Sequence, residues 1–395
     1  MRYIPRLMEP ALLRAARRFP ALLLTGPRRA GKTTMLRALF PRASYRLLED
    51  PDLVARFRAD PRGFLDELEP PVILDEIQNV PEILAYLRSR IDAEPRKKGR
   101  WLLTGSQEAP LMRGVTESLA GRAAVFHLLP LSVLEYGRTS ILRGGFPEAL
   151  ARPADAPLWF ASYVQTYLER DVRAVTGIRD LPTFRRFLGL VAGRSGQFLN
   201  RTDLAAPLGV SVPTISGWLN VLEATCQIIV VPPYFENFGK RLIKSPKIYL
   251  ADAGLACHLL GIGSEDELTR SPFLGALFEG WVASEIVKRQ ANAGLRRELY
   301  CFRDHQGLEV DFLIPAGARR VVLVEAKASR TVTPDMAGPM RRLSAAMSGY
   351  AIECCVVHRE PRTAAGSHVT APGVRAFTLP EFMRHLDSRT RTGGG

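Results

Sequence analysis

The sequence of 395 residues is long enough for two or three domains, each with a substantial core. Its 46% hydrophobic and 24% charged residues are ordinary for a soluble globular protein. Lysine and arginine total 54 against 40 aspartate and glutamate; the formal net charge of +14 favours a polyanionic partner such as nucleic acid, although an arginine-rich compositional bias would give the same balance.

Three classes of protein are disfavoured by the sequence. The five cysteines form no Cys-x-x-Cys pair and have no histidine at zinc-finger spacing, which fits a reduced, cytoplasmic setting. Residues 1–20 are rich in arginine and lack a continuous apolar region, so no signal peptide is expected. The apolar runs are shorter than the roughly 20 residues that a membrane span requires. We therefore expect a soluble cytoplasmic protein with no membrane partner.

The first strong motif follows the apolar run Leu22–Leu24, where residues 26–33 spell G-x-x-x-x-G-K-T before a predicted helix over 35–40. A strand, this loop and a helix are the context that a phosphate-binding loop requires, because glycines let successive N–H groups point at a polyphosphate. Lys32 is expected to contact the β- and γ-phosphates, and the Thr33 hydroxyl to hold Mg²⁺. The residues predicted to bind the nucleotide are Gly26, Pro27, Arg28, Arg29, Ala30, Gly31, Lys32, Thr33 and Thr34.

A second apolar run, Pro71–Leu74, ends on two carboxylates, Asp75 and Glu76. Such a run is typical of a buried parallel strand. Downstream of a phosphate-binding loop, Asp75 is predicted to order Mg²⁺ and Glu76 to activate the attacking water. The two motifs together predict a nucleotide-hydrolysing enzyme.

A further apolar strand, 101–103, ends in Thr104-Gly105-Ser106. A polar group at this tip, between the phosphate-binding loop and the carboxylate strand, would contact the γ-phosphate or the water. Ser106 is the preferred candidate and Thr104 the second, while Thr-Gly-Ser is also an ordinary turn.

These motifs, in this order, resemble the large bacterial and archaeal family of predicted AAA+ ATPases that carry a C-terminal domain of unknown function related to restriction-endonuclease folds. The resemblance covers nearly the whole chain and rests on residues 26–34, 74–78, 103–106, 118–122, 129–132 and 144–148. It implies ATP rather than GTP, and no guanine-reading N-K-x-D pattern is present. It also implies a homo-oligomer in which Arg122, or alternatively Arg113, reaches the γ-phosphate of a neighbouring subunit.

The middle of the chain predicts a nucleic-acid-binding module. Pro153 and Pro157 mark a break, and an amphipathic helix over 158–175 follows, in which Arg170 more plausibly pairs with a carboxylate than with nucleotide. Residues 200–222 form a helix-turn-helix pattern, and strands at 228–231 and 247–250 around a basic loop complete a winged helix. Thr214, Ser216 and Asn220 would face a groove of DNA, and Lys240, Arg241 and Lys244 its phosphates. A packing or oligomerisation module is the alternative, since the second helix is poor in lysine and arginine.

The C-terminal part resembles the PD-(D/E)xK nuclease core. Glu279 lies on a predicted helix, Asp311 on the next strand, and Glu325 and Lys327 on the one after. In that chemistry Asp311 and Glu325 bind Mg²⁺ with Glu279 completing the site, while Lys327, on the same strand face as Glu325, activates water. Cleavage itself stays open at this point, because such acids also persist as paired residues in a core.

The predicted fold is α/β: a P-loop AAA+ domain with a parallel sheet, a helical connector, a winged helix-turn-helix and a restriction-endonuclease-like α/β domain. The expected boundaries are 1–150, 151–180, 181–263 and 270–388, with a disordered tail over 389–395. The predicted function is a Mg²⁺-dependent ATPase coupled to nucleic acid, with DNA favoured and nuclease activity open. One alternative is a nucleotide-dependent regulatory switch or assembly protein with an inert nuclease-like domain; another is a nuclease that ATP binding only gates.

Overall fold

The computed structural model describes residues 3–105, 117–168, 180–234, 243–360, 369–371 and 373–392. The chain forms two compact units. The first comprises Met1–Leu131 with the short segments Ala224–Cys226 and Gln290–Arg296, and the second comprises the remaining residues. The continuous part of the first unit ends at Leu131, and the division of the chain into four domains stays a prediction.

The first unit is built on a five-stranded sheet in the order β2-β3-β4-β1-β5, in which every pairing is parallel. The strands are β1 (Ala21–Thr25), β2 (Ser44–Leu47), β3 (Val72–Asp75), β4 (Trp101–Thr104) and β5 (Ala123–His127). The helices are α1 (Glu9–Ala16), α2 (Lys32–Leu39), α3 (Pro51–Ala59), α4 (Pro61–Asp66) and α5 (Ile83–Ala93). This arrangement confirms the predicted α/β fold with a parallel sheet.

Both faces of this sheet are covered, which explains why its central strands are apolar throughout. Along β1, Ala21 and Leu23 belong to one core cluster with apolar residues of α3, α4 and α5. The alternate residues, Leu22 and Leu24, belong to a second cluster with residues of α1 and α2. The strand period of two therefore divides one sequence run between two cores.

From Ser132 onward, helices come before the second large sheet. They are α6 (Pro147–Ala151), α7 (Ala156–Tyr163), α8 (Leu181–Gly193), α9 (Arg201–Ala205), α10 (Val212–Ala224), α11 (Ala253–Leu259), α12 (Glu265–Arg270) and α13 (Leu274–Asn292). Strands β6 (Ile228–Val231) and β7 (Lys247–Leu250) pair antiparallel, and Gly209 turns the chain between α9 and α10 with φ +66°. Helices, a turn and a pair of strands therefore lie within the segment for which a winged helix is predicted, and the winged helix itself stays a prediction.

The C-terminal sheet is mixed and has the order β12-β13-β11-β10-β9-β8. Its strands are β8 (Tyr300–Arg303), β9 (Glu309–Pro315), β10 (Arg320–Lys327), β11 (Ala351–His358), β12 (Val369–Ala371) and β13 (Val374–Thr378). The remaining helices are α14 (Gly338–Ala346) and α15 (Leu379–Thr392). Helix α15 continues to Thr392. Residues 389–392, for which disorder is predicted, therefore belong to this helix.

A buried aspartate explains the Gly-Gly-Phe-Pro-Glu motif at 144–148. Gly145 N donates to Asp252 Oδ2 at 2.7 Å, and Leu255 N donates to Asp252 Oδ1 at 3.0 Å, which caps α11. Gly144 has φ +64°, and a Cβ there would collide with the same carboxylate. Gly144 thus lets the backbone approach a buried acid, which is a structural reason for the first glycine of the motif.

Within the described ranges, no helix combines the length and the apolar character that crossing a membrane would demand.

Replacing Asp252 by alanine removes a helix cap and leaves the buried Gly145 N–H without this acceptor. We expect Asp252→Ala to lower the free energy of unfolding by about 3 kcal/mol, measured by urea denaturation. Asp266→Ala, in the exposed first turn of α12, is the matched control and should change it little. Equal effects of the two variants would contradict the structural role of Asp252.

Candidate functional site

The loop between β1 and α2 has a backbone that only glycine accommodates at two positions. Gly26 has φ +137°, and a Cβ there would collide with the carbonyl oxygen of Leu128. Gly31, which precedes α2, has φ +97°. Because side chains are strained at both angles, the two glycines of the motif are required by the shape of the loop.

Lys32 is buried against this loop. Its Nζ donates to the carbonyl oxygens of Gly26 at 3.0 Å and Pro27 at 3.1 Å. Burial lowers the pKa of Lys32, and the carboxylate of Glu76 acts in the opposite direction. The charged end of Lys32 is therefore folded against the loop that the motif predicts to wrap a phosphate.

Asp75, at the end of β3, gathers three hydroxyl groups. Thr33 Oγ1 donates to Asp75 Oδ2 at 2.8 Å, and Tyr45 OH donates to the same oxygen at 2.7 Å. Thr104 Oγ1 donates to Oδ1. The two predicted magnesium ligands, Thr33 and Asp75, are thus neighbours, and a carboxylate with a hydroxyl is a donor set that fits Mg²⁺.

Glu76 follows in a left-handed conformation, with φ +57° and ψ +46°. For a residue with a side chain this costs about 1 kcal/mol, and such strain concentrates at functional sites. Its Oε2 lies 3.5 Å from Arg28 Nη1 and also accepts from Gln78 Nε2, while its backbone N–H donates to Thr104 Oγ1 at 3.4 Å. The predicted base is therefore at the site but is engaged with two neighbours.

Several contributors to this site were not predicted from the sequence. Arg6 is buried and donates to the carbonyl oxygens of Ala30 at 3.1 Å and Leu129 at 2.7 Å, so it braces the loop. Tyr45 holds Asp75, and burial followed by this hydrogen bond raises the pKa of Tyr45. Neither Arg6 nor Tyr45 belongs to a sequence motif or a periodic pattern. The sequence therefore does not distinguish them from an ordinary arginine beside a helix or an ordinary tyrosine in a strand.

The tip of β4 lies between β1 and β3, as predicted, and Thr104 there contacts both Asp75 and Glu76. The preferred candidate Ser106 lies outside the described residues, as do Arg113, Arg170, Lys240 and Arg241.

Arg122 comes immediately before β5, so it lies at the edge of the parallel sheet opposite the loop. Its guanidinium contacts Asp92 at 2.6 and 3.0 Å. Arg122 is therefore not part of this chain's own loop site, and its role in a neighbouring subunit stays a prediction.

A second cluster brings together the four residues predicted for the nuclease-like site. Val324 pairs with Phe312, and the next residues along these strands are Glu325 and Asp311. Ala326 N donates to Asp311 Oδ2 at 3.0 Å, and Lys327 Nζ lies 2.7 Å from Glu325 Oε2. Burial, and then the Asp311 carboxylate, raise the pKa of both Glu279 and Glu325 above the ordinary value. Lys247, which the sequence did not single out, reaches into the same cluster.

Two of the residues predicted to face DNA hydrogen-bond to neighbours in sequence at the start of α10. The Thr214 hydroxyl lies 2.9 Å from that of Ser211, and Ser216 Oγ donates to Val212 O at 3.0 Å. Asn220 and Lys244 are exposed.

The parallel sheet, the glycine loop and the carboxylate strand define a P-loop nucleotide-binding protein. A family profile described as an AAA domain matches residues 18–137. Two profiles described as domains of unknown function, DUF8612 and DUF4143, match residues 135–266 and 274–376. The uncharacterized proteins Rv2008c of Mycobacterium tuberculosis and Mb2031c of Mycobacterium bovis are each 35% identical over 338 residues, 84% of this chain and 75% of theirs. The chain belongs to the same family as these two relatives, and its residues 18–137 form an AAA-type P-loop ATPase domain.

Similar solved structures include the Walker-type ATPase PABY2304 of Pyrococcus abyssi, with 17% identity, a TM-score of 0.39, and coverage of 64% of this chain and 94% of that one. A RuvB variant of Thermotoga maritima has 17% identity, a TM-score of 0.25, and coverage of 57% and 86%.

Tyr45→Phe removes one hydroxyl from Asp75 and keeps the ring. Because groups that orient a metal ligand typically contribute a factor of 10–100 to metal affinity, we expect the magnesium concentration for half-maximal binding of a fluorescent ATP analogue to rise about tenfold. Tyr86→Phe, whose ring packs on Phe57 in the same unit, is the control and should leave it unchanged. An unaltered magnesium requirement in Tyr45→Phe would show that the hydroxyl does not position Asp75.

Proposed function

We propose that this protein hydrolyses ATP in a Mg²⁺-dependent reaction. The observation that carries the proposal is the 2.8 Å contact between Thr33 and Asp75, because it brings the loop hydroxyl and the strand carboxylate together beside Lys32. When bound, Mg²⁺ would neutralise phosphate charge. Thr33 and Asp75 would hold it, and Lys32 would turn from the loop carbonyls to the phosphates.

Glu76 is the general base in this proposal. Its carboxylate stands one residue beyond the metal-ordering acid, where it can take the proton of the attacking water. Since its Oε2 is engaged by Arg28 and Gln78 in the structure, Glu76 has to exchange at least one of these partners for water. The choice of ATP rather than GTP rests on membership of the AAA family.

Nucleic acid, with DNA favoured, is the proposed partner. The net charge of +14 and the order of helix α9, turn and helix α10 support this partner. Lys244, shortly before β7, is exposed and could contact phosphates. We also propose a homo-oligomer in which Arg122 exchanges Asp92 for the γ-phosphate of a neighbour.

The engaged state of Glu76 favours a second candidate, a nucleotide-dependent switch or assembly protein. In that case hydrolysis waits until Glu76 is released, and its purpose is to time the release of a partner. Turnover that DNA stimulates without any cutting of that DNA would favour the switch, while magnesium-dependent cutting abolished by Asp311→Ala would favour a nuclease.

Glu76→Gln keeps the shape of the base and removes its ability to accept a proton. We expect ATP turnover to fall by about 100-fold or more, with ATP binding retained, because general-base catalysis typically contributes 10²–10⁴-fold. The control is Glu82→Gln, an exposed acid paired with Arg58 in the same unit. If Glu76→Gln turned over ATP at the wild-type rate, another group would have to be the base.

Coupling to DNA is tested by ATP turnover with and without duplex DNA or RNA. We expect DNA to stimulate turnover, and Lys244→Ala to weaken DNA binding while reducing the slope of log affinity against log salt by about one. Lys98→Ala, an exposed lysine of the first unit, is the control. Turnover indifferent to both nucleic acids would contradict the proposed coupling and leave the ATPase assignment intact.

A further inference from the structure

A lysine lies at the centre of the acidic cluster where the nuclease resemblance predicts a divalent cation. Lys247 Nζ is 2.7 Å from Glu279 Oε1, 2.6 Å from Glu309 Oε1 and 3.3 Å from Asp311 Oδ1. Lys247 is 1% exposed. One ammonium group thus contacts three carboxylates, which matches its three N–H donors.

The fold holds this lysine in place from several directions. Lys247 is the first residue of β7 and pairs with Val231 of β6. Its backbone also forms an isolated antiparallel β-bridge with Phe198, whose ring centroid lies 5.7 Å from Lys247 Nζ. Its three acidic partners come from α13 and β9. Backbone pairing on two sides therefore fixes the position of Lys247, and its side chain extends into the acidic cluster from a paired strand.

The charge of the buried Lys247 ammonium is compensated by the carboxylates of Glu279, Glu309 and Asp311, each within 3.3 Å of Nζ. The fourth acid, Glu325, has a cation of its own, Lys327 at 2.7 Å, and Glu309 has a second cation, Arg303 at 3.5 Å. A cation is thus already present at every acidic side chain named in this cluster.

The predicted metal ligands are not arranged for Mg²⁺. This ion requires near-octahedral oxygen ligands at about 2.0–2.1 Å. Asp311 Oδ1 faces the ammonium and Oδ2 accepts from Ala326 N. Glu279 Oε1 accepts from both Lys247 and the Tyr249 hydroxyl. A metal would have to displace the buried ammonium and its hydrogen bonds before it could use these oxygens.

We propose that the Lys247 ammonium takes the place of the divalent cation, so that the cluster of Glu279, Glu309, Asp311 and Glu325 is an internal ion pair network that neither binds Mg²⁺ nor cleaves nucleic acid. Its role is to fasten β7 to α13 and the C-terminal sheet. The predicted metal-binding roles of Glu279, Asp311 and Glu325, and the water-activating role of Lys327, are replaced by ion pairing. The inference does not depend on the ATPase assignment.

The test is Mn²⁺ binding to the full-length chain, measured by calorimetry and electron paramagnetic resonance without nucleotide. All variants carry Asp75→Asn, so that metal at the phosphate-binding loop is not counted. With Lys247 present we expect no Mn²⁺ site that depends on Asp311. Lys247→Met should gain one such site per chain, at least about tenfold tighter than any binding with Lys247, and Asp311→Asn should abolish it again.

Lys288→Met is the matched control, because Lys288 is also buried and lies 2.8 Å from Glu285. It should gain no site that depends on Asp311. Circular dichroism verifies that each variant is folded. A folded Lys247→Met variant that binds no Mn²⁺ would overturn the proposal.

The chain with Lys247 intact gives a separate answer even if Lys247→Met does not fold. One Mn²⁺ per chain that is lost in Asp311→Asn, or in Glu325→Gln should the first variant be unstable, would overturn the proposal. So would plasmid nicking by the wild type that Asp311→Asn removes. Absence of both supports it.

Discussion

The contact between Thr33 and Asp75 is the constraint on which the candidate site depends. It exists because β4 lies between β1 and β3, so that the loop after β1 and the acid at the end of β3 reach the same edge of a parallel sheet. Thr104 on the intervening strand then hydrogen-bonds Asp75 from the other side. A carboxylate held by hydroxyl groups can exchange those partners for a cation, which is what a magnesium-dependent phosphate site needs.

The second acidic cluster shows how the same residue types can serve a different purpose. Asp311 and Glu325 also meet at neighbouring strands, but the group that faces Asp311 is an ammonium and not a hydroxyl. A hydroxyl is neutral and leaves a carboxylate's charge unmet, whereas a buried lysine compensates it. The two clusters of acids therefore differ in whether a neutral hydroxyl or a charged ammonium faces the carboxylate. The type of fold alone does not determine the activity.

Residues in local motifs are predictable from the sequence, whereas residues that act across long sequence separations are not. The glycine loop and the acids at 75 and 76 were identified together with their strands, because G-x-x-x-x-G-K-T and an apolar run are local patterns whose geometry follows from neighbouring residues. Tyr45, Arg6 and Lys247 were missed, since each acts on residues far away in sequence. The motif at 144–148 was recognised by resemblance alone, and its reason, the close approach to Asp252, appears only in the structure.

Local sequence patterns predict that a strand, a phosphate-binding loop and a helix follow one another, and that acids end one strand of the sheet and alternate along others. These properties depend on backbone conformation and side-chain periodicity over a few residues. The groups that face those acids become visible only in the folded chain: they are hydroxyls for Asp75, and a lysine for Glu279 and Asp311. A carboxylate's chemistry depends on its nearest charges and hydrogen-bond donors, and packing brings these from distant parts of the chain.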